Sequence, residues 1–214
     1  MCQIIPGILE KDWEKIEEKL KSLKSLTETV HIDVIDGKFA NNLTFLDPTP
    51  FAKYKDEFLL EVHLMVEEPI DYLKPFFDAG FKRFLGHIEK MSDQTEFVAM
   101  GEIYGEIGLA IDGPTNLDEL KVDLFDLDAL LLMTIKAGFS GQSFKEEYLI
   151  KAKEIKKRLQ NMPLGKEMII EVDGGLDDWS IVKAKEAGAN RFVSNSFLFK
   201  GDFLKQKKLL SSLI

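Results

Sequence analysis

Thr29-Val30-His31-Ile32-Asp33-Val34 is a short apolar run that reads as a strand, and its two functional side chains stand two residues apart. Alternate residues of a strand share a face, so His31 and Asp33 project the same way. The other two histidines of the chain also end short apolar runs, His63 in Leu59-Leu60-Glu61-Val62-His63-Leu64-Met65 and His87 after Arg83-Phe84-Leu85-Gly86. A further acid, Asp173, ends the run Met168-Ile169-Ile170-Glu171-Val172 just before Gly174-Gly175. Imidazoles and carboxylates gathered at strand ends are what a metal site or an acid/base pair requires.

Around these runs, short apolar segments alternate with longer amphipathic ones, the rhythm of a parallel sheet with crossover helices. The pattern predicts strands near Gln3 to Ile8, Val30 to Val34, Leu59 to Met65, Arg83 to Gly86, Ile107 to Ile111, Ala129 to Ile135, Met168 to Val172 and Arg191 to Ser194. Helical patterns fall at Asp12 to Leu26, Pro50 to Tyr54, Ile70 to Asp78, Thr95 to Met100, Leu117 to Leu120, Glu147 to Asn161, Trp179 to Ala187 and Asp202 to Leu213. Asp12 is the expected N-cap of the first helix. The segment Val122 to Asp128 alternates acids with Leu and Phe and reads as able to pair as a strand. Eight strand-helix units in 214 residues favour an α/β fold of the closed (β/α)8 TIM-barrel type, one domain over 1–214, rather than an open doubly wound sheet. In such barrels chemistry sits at the C-terminal ends of the strands, where the histidines and aspartates fall.

The formal charge of -9 argues against nucleic acid or an anionic membrane as the main partner, since both require a basic footprint. An anionic small substrate is compatible with that charge, because backbone amides hold phosphate without net positive charge. Cys2 is the sole cysteine, so no internal disulfide forms and a reducing, cytoplasmic location is expected. No apolar run approaches the roughly 20 residues of a membrane span.

His31, Asp33, His63 and Asp173 form one constellation from strands two, three and seven, two nitrogen and two oxygen donors suited to Zn²⁺, Fe²⁺ or Mn²⁺. A lone inward histidine is more often a hydrogen-bonded core residue; the set carries more weight than its members. Glu61 and Glu171 lie one layer deeper on the same faces, either as buried carboxylates paired with lysine or as acceptors for a ligating imidazole. His87 and Glu89 repeat the spacing after strand four and read as structural or substrate-lining. Gly138-Phe139-Ser140-Gly141, Gly174-Gly175 and Asn195-Ser196 follow strands six, seven and eight, where barrels commonly bind a phosphate with backbone N–H groups.

At Pro6-Gly7-Ile8-Leu9, His31-Ile32-Asp33-Val34-Ile35-Asp36-Gly37, Val62-His63-Leu64-Met65-Val66, His87-Ile88-Glu89, Gly108-Leu109-Ala110-Ile111, Met133-Thr134-Ile135-Lys136-Ala137-Gly138-Phe139-Ser140-Gly141-Gln142 and Glu171-Val172-Asp173-Gly174-Gly175, the chain resembles the ribulose-phosphate 3-epimerase family. The order and spacing of these stretches hold over nearly its whole length. The resemblance implies one divalent metal held by His31, Asp33, His63 and Asp173. It further implies epimerisation at C3 of D-ribulose 5-phosphate to D-xylulose 5-phosphate, a step of the pentose phosphate pathway, through a metal-stabilised enediolate.

By the same resemblance Asp33 and Asp173 are the two proton carriers, His63 and the glycine loops with Phe139, Ser140, Asn195 and Ser196 meet the substrate, and Met65 and Met133 cover the reacting carbons. Ordinary core packing is the alternative for the two methionines. Family members associate into dimers or larger rings, so a homo-oligomer is compatible with this sequence, which carries no interface signal of its own.

Several positions depart from the family. Gly7 stands where Ser is usual, Ile35 for Met, Lys38 for His, Lys136-Ala137 for Asn-Pro, Ser140 for Gly and Asn195 for Gly. Asn195 is expected to tolerate a left-handed turn, and Lys38 or Lys136 to add charge for phosphate. The altered contacts leave two other readings in view. One is a 3-epimerase of another ketose phosphate, such as the hexulose allulose 6-phosphate; the other is a catalytically silent sugar-phosphate-binding barrel.

Overall fold

A computed structural model describes residues 2–139, 141–160 and 168–214. Strands β1 (Gln3–Ile8), β2 (Thr29–Ile35), β3 (Leu59–Met65), β4 (Arg83–His87), β5 (Glu106–Ile111), β6 (Ala129–Met133), β7 (Ile169–Asp173) and β8 (Arg191–Ser194) pair in chain order. Every pairing is parallel, and β8 closes on β1 to complete a barrel. Each strand is covered on both faces, which is why its outward residues are as apolar as a core. Val30, Ile32 and Val34 of β2 and Leu60, Val62 and Leu64 of β3 face the outer layer. Ile35, Met65, Leu85, Ala110, Leu131 and Met133 fill the barrel's interior.

The outer layer holds α1 (Trp13–Leu23), α2 (Ile70–Asp78), α3 (Gln94–Gly101), α4 (Ile150–Gln160), α5 (Ser180–Ala187), α6 (Ser196–Phe199) and α7 (Phe203–Leu213). In α1, Ile16, Leu20 and Leu23 recur at helical spacing and are buried. The helix stops three residues short of Leu26: Lys24 leaves the helical conformation at ψ 128° and Ser25 then turns left-handed at φ 64°. Asp12 occupies the N-cap position but its side chain caps nothing; the carboxylate lies 3.6 Å from Lys15 Nζ instead. Two crossovers are thinner than expected: Thr49–Tyr54 and Leu117–Glu119 are 3-10 turns rather than α-helices.

Val122 to Asp128 is no strand. It contains a 3-10 turn, Leu124–Asp126, in which the Asp123 carboxylate accepts the Phe125 N–H at 2.9 Å and the apolar residues Leu124 and Leu127 are buried. The pattern expected from Glu147 to Asn161 divides into a 3-10 turn, Glu146–Leu149, and α4, with Asn161 outside the described residues. Strand β6 ends at Met133 rather than Ile135, and the next residue, Thr134, bonds to the carbonyls of Asp173 and Gly174. The short helix α6 directly after β8 had no counterpart in the sequence pattern. Among the described residues no helix is long and apolar enough to cross a membrane.

Candidate active site

Register alone stacks the polar interior in two layers. In the lower layer Glu61 lies beside Arg83, and Glu171 beside Arg191. In the upper layer Asp33 lies beside His63, and Met133 beside Asp173. His31, next to Glu61 in register, bridges the two. Its Nδ1 donates to Glu61 Oε1 at 2.6 Å, and its Nε2 lies 3.3 Å from Asp33 Oδ1 with no hydrogen-bond partner of its own. His63 turns Nδ1 toward the same centre, 2.9 Å from Asp33 Oδ1 and 3.9 Å from Asp173 Oδ2.

One donor atom from each of His31, Asp33, His63 and Asp173 lies within 4.8 Å of all the others. Donors about 2.1 Å from one tetrahedral ion stand about 3.4 Å apart, and these separations bracket that value. The group is therefore able to hold a divalent ion. His31, Glu61 and Glu171 converge similarly below, but there guanidinium groups already supply the positive charge. Arg83 Nη1 and Arg191 Nη2 reach Glu61 Oε2 at 2.6 and 2.7 Å, and Arg191 Nε lies 2.8 Å from Glu171 Oε2. The partners of these buried acids are arginines, where the sequence pointed to a lysine or an imidazole; the imidazole is present as well.

The two aspartates have opposite proton preferences. Burial alone raises a carboxyl, but hydrogen bonds from His31 and His63 overcome it at Asp33 and hold it far below the usual carboxylate range. At Asp173 burial and the neighbouring Asp33 charge act together and push it up. Glu61 and Glu171 split likewise. Burial is outweighed at Glu61 by His31 and Arg83, whereas at Glu171 burial and the Glu61 charge raise it. Burial lowers His63 to about 4, keeping a neutral ring, while at His31 burial is outweighed by Asp33, Glu171 and Glu61 and the ring is held well above 6.5. Two carboxyls in one site with opposite proton preferences are equipped to take a proton and to give one.

Above them opens a cavity lined by Asp33, Met65, Met133, Asp173, Gly138, Phe139, Gly141, Gly174, Gly175, Asn195 and Ser196, together with Leu9, Ile135, Leu176 and Val193. It thus gathers the aspartates, both methionines and all three loops picked out from the sequence; Ser140 lies outside the described residues. The turns are possible only for glycine at two points. Gly138 has φ +110° and a Cβ there would lie 2.5 Å from Ala40; Gly174 has φ +116° and a Cβ 2.6 Å from Ile135.

Asn195 has φ -105°, so the turn at β8 needs no left-handed residue. Lys38 is exposed and paired with Glu67 at 3.0 Å. Lys136 is exposed. His87 is fully buried, stacked on His63 with centroids 4.9 Å apart, and donates to Glu89 at 2.7 Å.

The sequence reading missed the supports of this mouth. Asp112 Oδ1 accepts the N–H groups of Gly113 and Ala137 at 2.8 and 2.6 Å, and Asn42 Nδ2 donates to the Gly138 carbonyl at 2.8 Å. Lys151 is buried with its ammonium on the carbonyls of Asp112, Gly113 and Thr115 at 2.7, 2.6 and 3.1 Å. Asp112 was the legible one, an acid directly after β5, near a strand's C-terminal end as Asp33 and Asp173 are.

These features define a (β/α)8-barrel protein with a buried group of imidazoles and carboxylates, able to hold a metal ion, at the C-terminal mouth of the strands. Residues 3–199 match the ribulose-phosphate 3 epimerase family, and the chain belongs to that family. It is 32% identical over 211 residues to a ribulose-phosphate 3-epimerase of Chlamydia muridarum, covering 96% of this chain and 91% of that one. It is also 32% identical over 203 residues to the Bacillus subtilis ribulose-phosphate 3-epimerase, covering 93% of each. Among solved structures, 3-keto-L-gulonate-6-phosphate decarboxylase from Vibrio cholerae superposes with a TM-score of 0.68 at 13% identity, over 99% of this chain and 96% of the other. A structure of KGPDC from Streptococcus mutans superposes with a TM-score of 0.71 at 9% identity, over 98% and 95%. At these identities the likeness is one of fold.

Proposed function

We propose that the protein interconverts D-ribulose 5-phosphate and D-xylulose 5-phosphate by moving a proton at C3. The observation that carries this reading is the cavity in which Asp33 and Asp173, from β2 and β7, face the same space and converge with His31 and His63. Inverting a carbinol carbon next to a ketone requires removing its proton on one face and returning one on the other. Asp33 takes the proton and Asp173 returns one, and the roles exchange in the reverse direction. His31 Nε2, Asp33, His63 Nδ1 and Asp173 would hold one divalent ion, Zn²⁺, Fe²⁺ or Mn²⁺ by donor type. Such an ion supplies Lewis-acid stabilisation of the negative charge that develops as the C3 proton leaves. Met65 and Met133 exclude water beside the reacting carbons. The main-chain groups of Gly138, Gly141, Gly174, Gly175, Asn195 and Ser196 receive the phosphate, with Phe139 over the opening.

Gly7, where the family usually has serine, fits its surroundings: a Cβ there would lie 2.9 Å from Val193 Cγ1, so the site has no room for that side chain. The test is turnover of ribulose 5-phosphate and of allulose 6-phosphate by the metal-loaded protein, followed by optical rotation, with Asp33→Asn and Asp173→Asn as controls. Conversion of the pentulose, lost in both variants, supports the reading. Conversion of the hexulose alone reassigns the substrate, and no conversion of either removes the activity and leaves a binding barrel.

A further inference from the structure

We infer that Thr44 and Thr134 are positioning residues, each fixing the main chain of one of the two proton-carrying aspartates; the inference rests on the epimerase reading above. Thr44 lies in the loop after β2 and is 4% exposed. Its hydroxyl accepts the Ile35 N–H at 2.9 Å and donates to the Asp33 carbonyl at 3.0 Å, and its own N–H donates to the Ile35 carbonyl at 3.0 Å. Thr134 follows β6 directly and is fully buried. Its N–H donates to the Asp173 carbonyl at 2.7 Å, and its hydroxyl lies 2.9 Å from that carbonyl and 2.6 Å from the carbonyl of Gly174. Neither side chain lines the cavity or belongs to the metal-binding group. The two aspartates, from strands on different sides of the barrel, thus have the same device: a buried threonine from a neighbouring segment gripping the peptide at the aspartate.

The physical need is local. Asp173 is the last residue of β7 and Asp33 lies two residues from the end of β2, where the sheet ladder runs out. Beyond Asp173 the chain turns left-handed at Gly174. A carboxyl inherits its position from its Cα, so main-chain freedom at either point displaces the proton carrier relative to C3. Displacements of about 1 Å cost a reaction of this kind up to about 100-fold.

The test uses the full-length, metal-loaded protein with ribulose 5-phosphate and xylulose 5-phosphate, each protiated and deuterated at C3. Thr44→Val and Thr134→Val remove a hydroxyl at constant shape, and Thr44→Ser and Thr134→Ser restore it. Each valine variant is expected to lower turnover about tenfold or more with KM changed less than threefold, and each serine variant to recover most of the loss. Slowing abstraction by one aspartate makes that step limiting for the epimer it serves. The C3 isotope effect should therefore rise for one epimer and fall for the other in Thr44→Val, and do the reverse in Thr134→Val. Isotope effects that shift alike in both variants, or turnover within twofold of the parent, overturn the inference. A parent protein that converts neither ketose overturns the epimerase reading itself, and this inference with it.

Discussion

Replacing Glu61 by glutamine tests the charged layer beneath the aspartates. The carboxylate is fully buried and accepts from His31 Nδ1 at 2.6 Å, Arg83 Nη1 at 2.6 Å and Arg191 Nη2 at 2.7 Å. Glutamine keeps the volume, removes the charge and turns an NH2 group toward donors that have nothing to accept it. Breaking a buried pair from one side costs about 3–5 kcal/mol. Arg83 keeps Glu106 through Nε at 2.7 Å, and Arg191 keeps Glu171, so the loss falls at the low end, about 3 kcal/mol. For a chain of this size that lowers Tm by about 6–12 °C.

Glu171→Gln is the matched control. Burial and the Glu61 charge already favour the protonated form of Glu171, so an amide resembles what is there, and the expected cost is about 1 kcal/mol. Calorimetry of the metal-free proteins at pH 7 measures both. Equal losses, or a Glu61→Gln variant melting within about 2 °C of the parent, would refute the argument that Glu61 is the charged hub of the layer.

Three further perturbations follow from the supports of the mouth. Burial raises Glu89, but the His87 hydrogen bond and charge outweigh it and bring it down from 4.5 to about 2. A depressed carboxyl stabilises fully above its unfolded value and loses that contribution as pH falls toward 2. Glu89→Gln should therefore flatten the acid limb of a stability–pH curve by about 3 kcal/mol. Lys151 is lowered by burial from 10.5 to about 8. Between those values the unfolded chain holds more protons than the folded one, so stability contributed by this group rises with pH there. Urea denaturation from pH 8 to 10.5 should show that rise in the parent and not in Lys151→Met. Asp112→Ala frees the Ala137 N–H beside Gly138, and steady-state kinetics should give a KM for ketose phosphate raised about tenfold with little change in metal content. An unchanged KM would detach Asp112 from phosphate binding.

The strands were legible because their burial on both faces leaves almost uninterrupted apolar runs, as in Ala129-Leu130-Leu131-Leu132-Met133. Polar exceptions in such runs mark the interior, which is how His31, Asp33, His63 and Asp173 stood out. Arg83 and Arg191 carry the same mark but sit at the first position of their strands, where a charge reads as an ordinary boundary; only the register sets them against Glu61 and Glu171. Thr44, Thr134 and Asn42 left no signal at all, since their role is set by what a turn brings within hydrogen-bond reach. The crossovers at Thr49–Tyr54 and Leu117–Glu119 show the limit of periodicity, because a segment of one or two turns fits a 3-10 geometry as well as an α one.

In the proposed reaction Asp33 and Asp173 move a proton at C3 of a ketose phosphate through solvent-exchangeable carboxyls. Conversion of ribulose 5-phosphate in deuterated water, followed by proton magnetic resonance of the product, addresses it directly. The expected product is xylulose 5-phosphate carrying solvent deuterium at C3 and unlabelled elsewhere. Xylulose 5-phosphate that retains the original C3 hydrogen in full, or a metal-loaded protein that leaves ribulose 5-phosphate both unlabelled and uninverted, would contradict it.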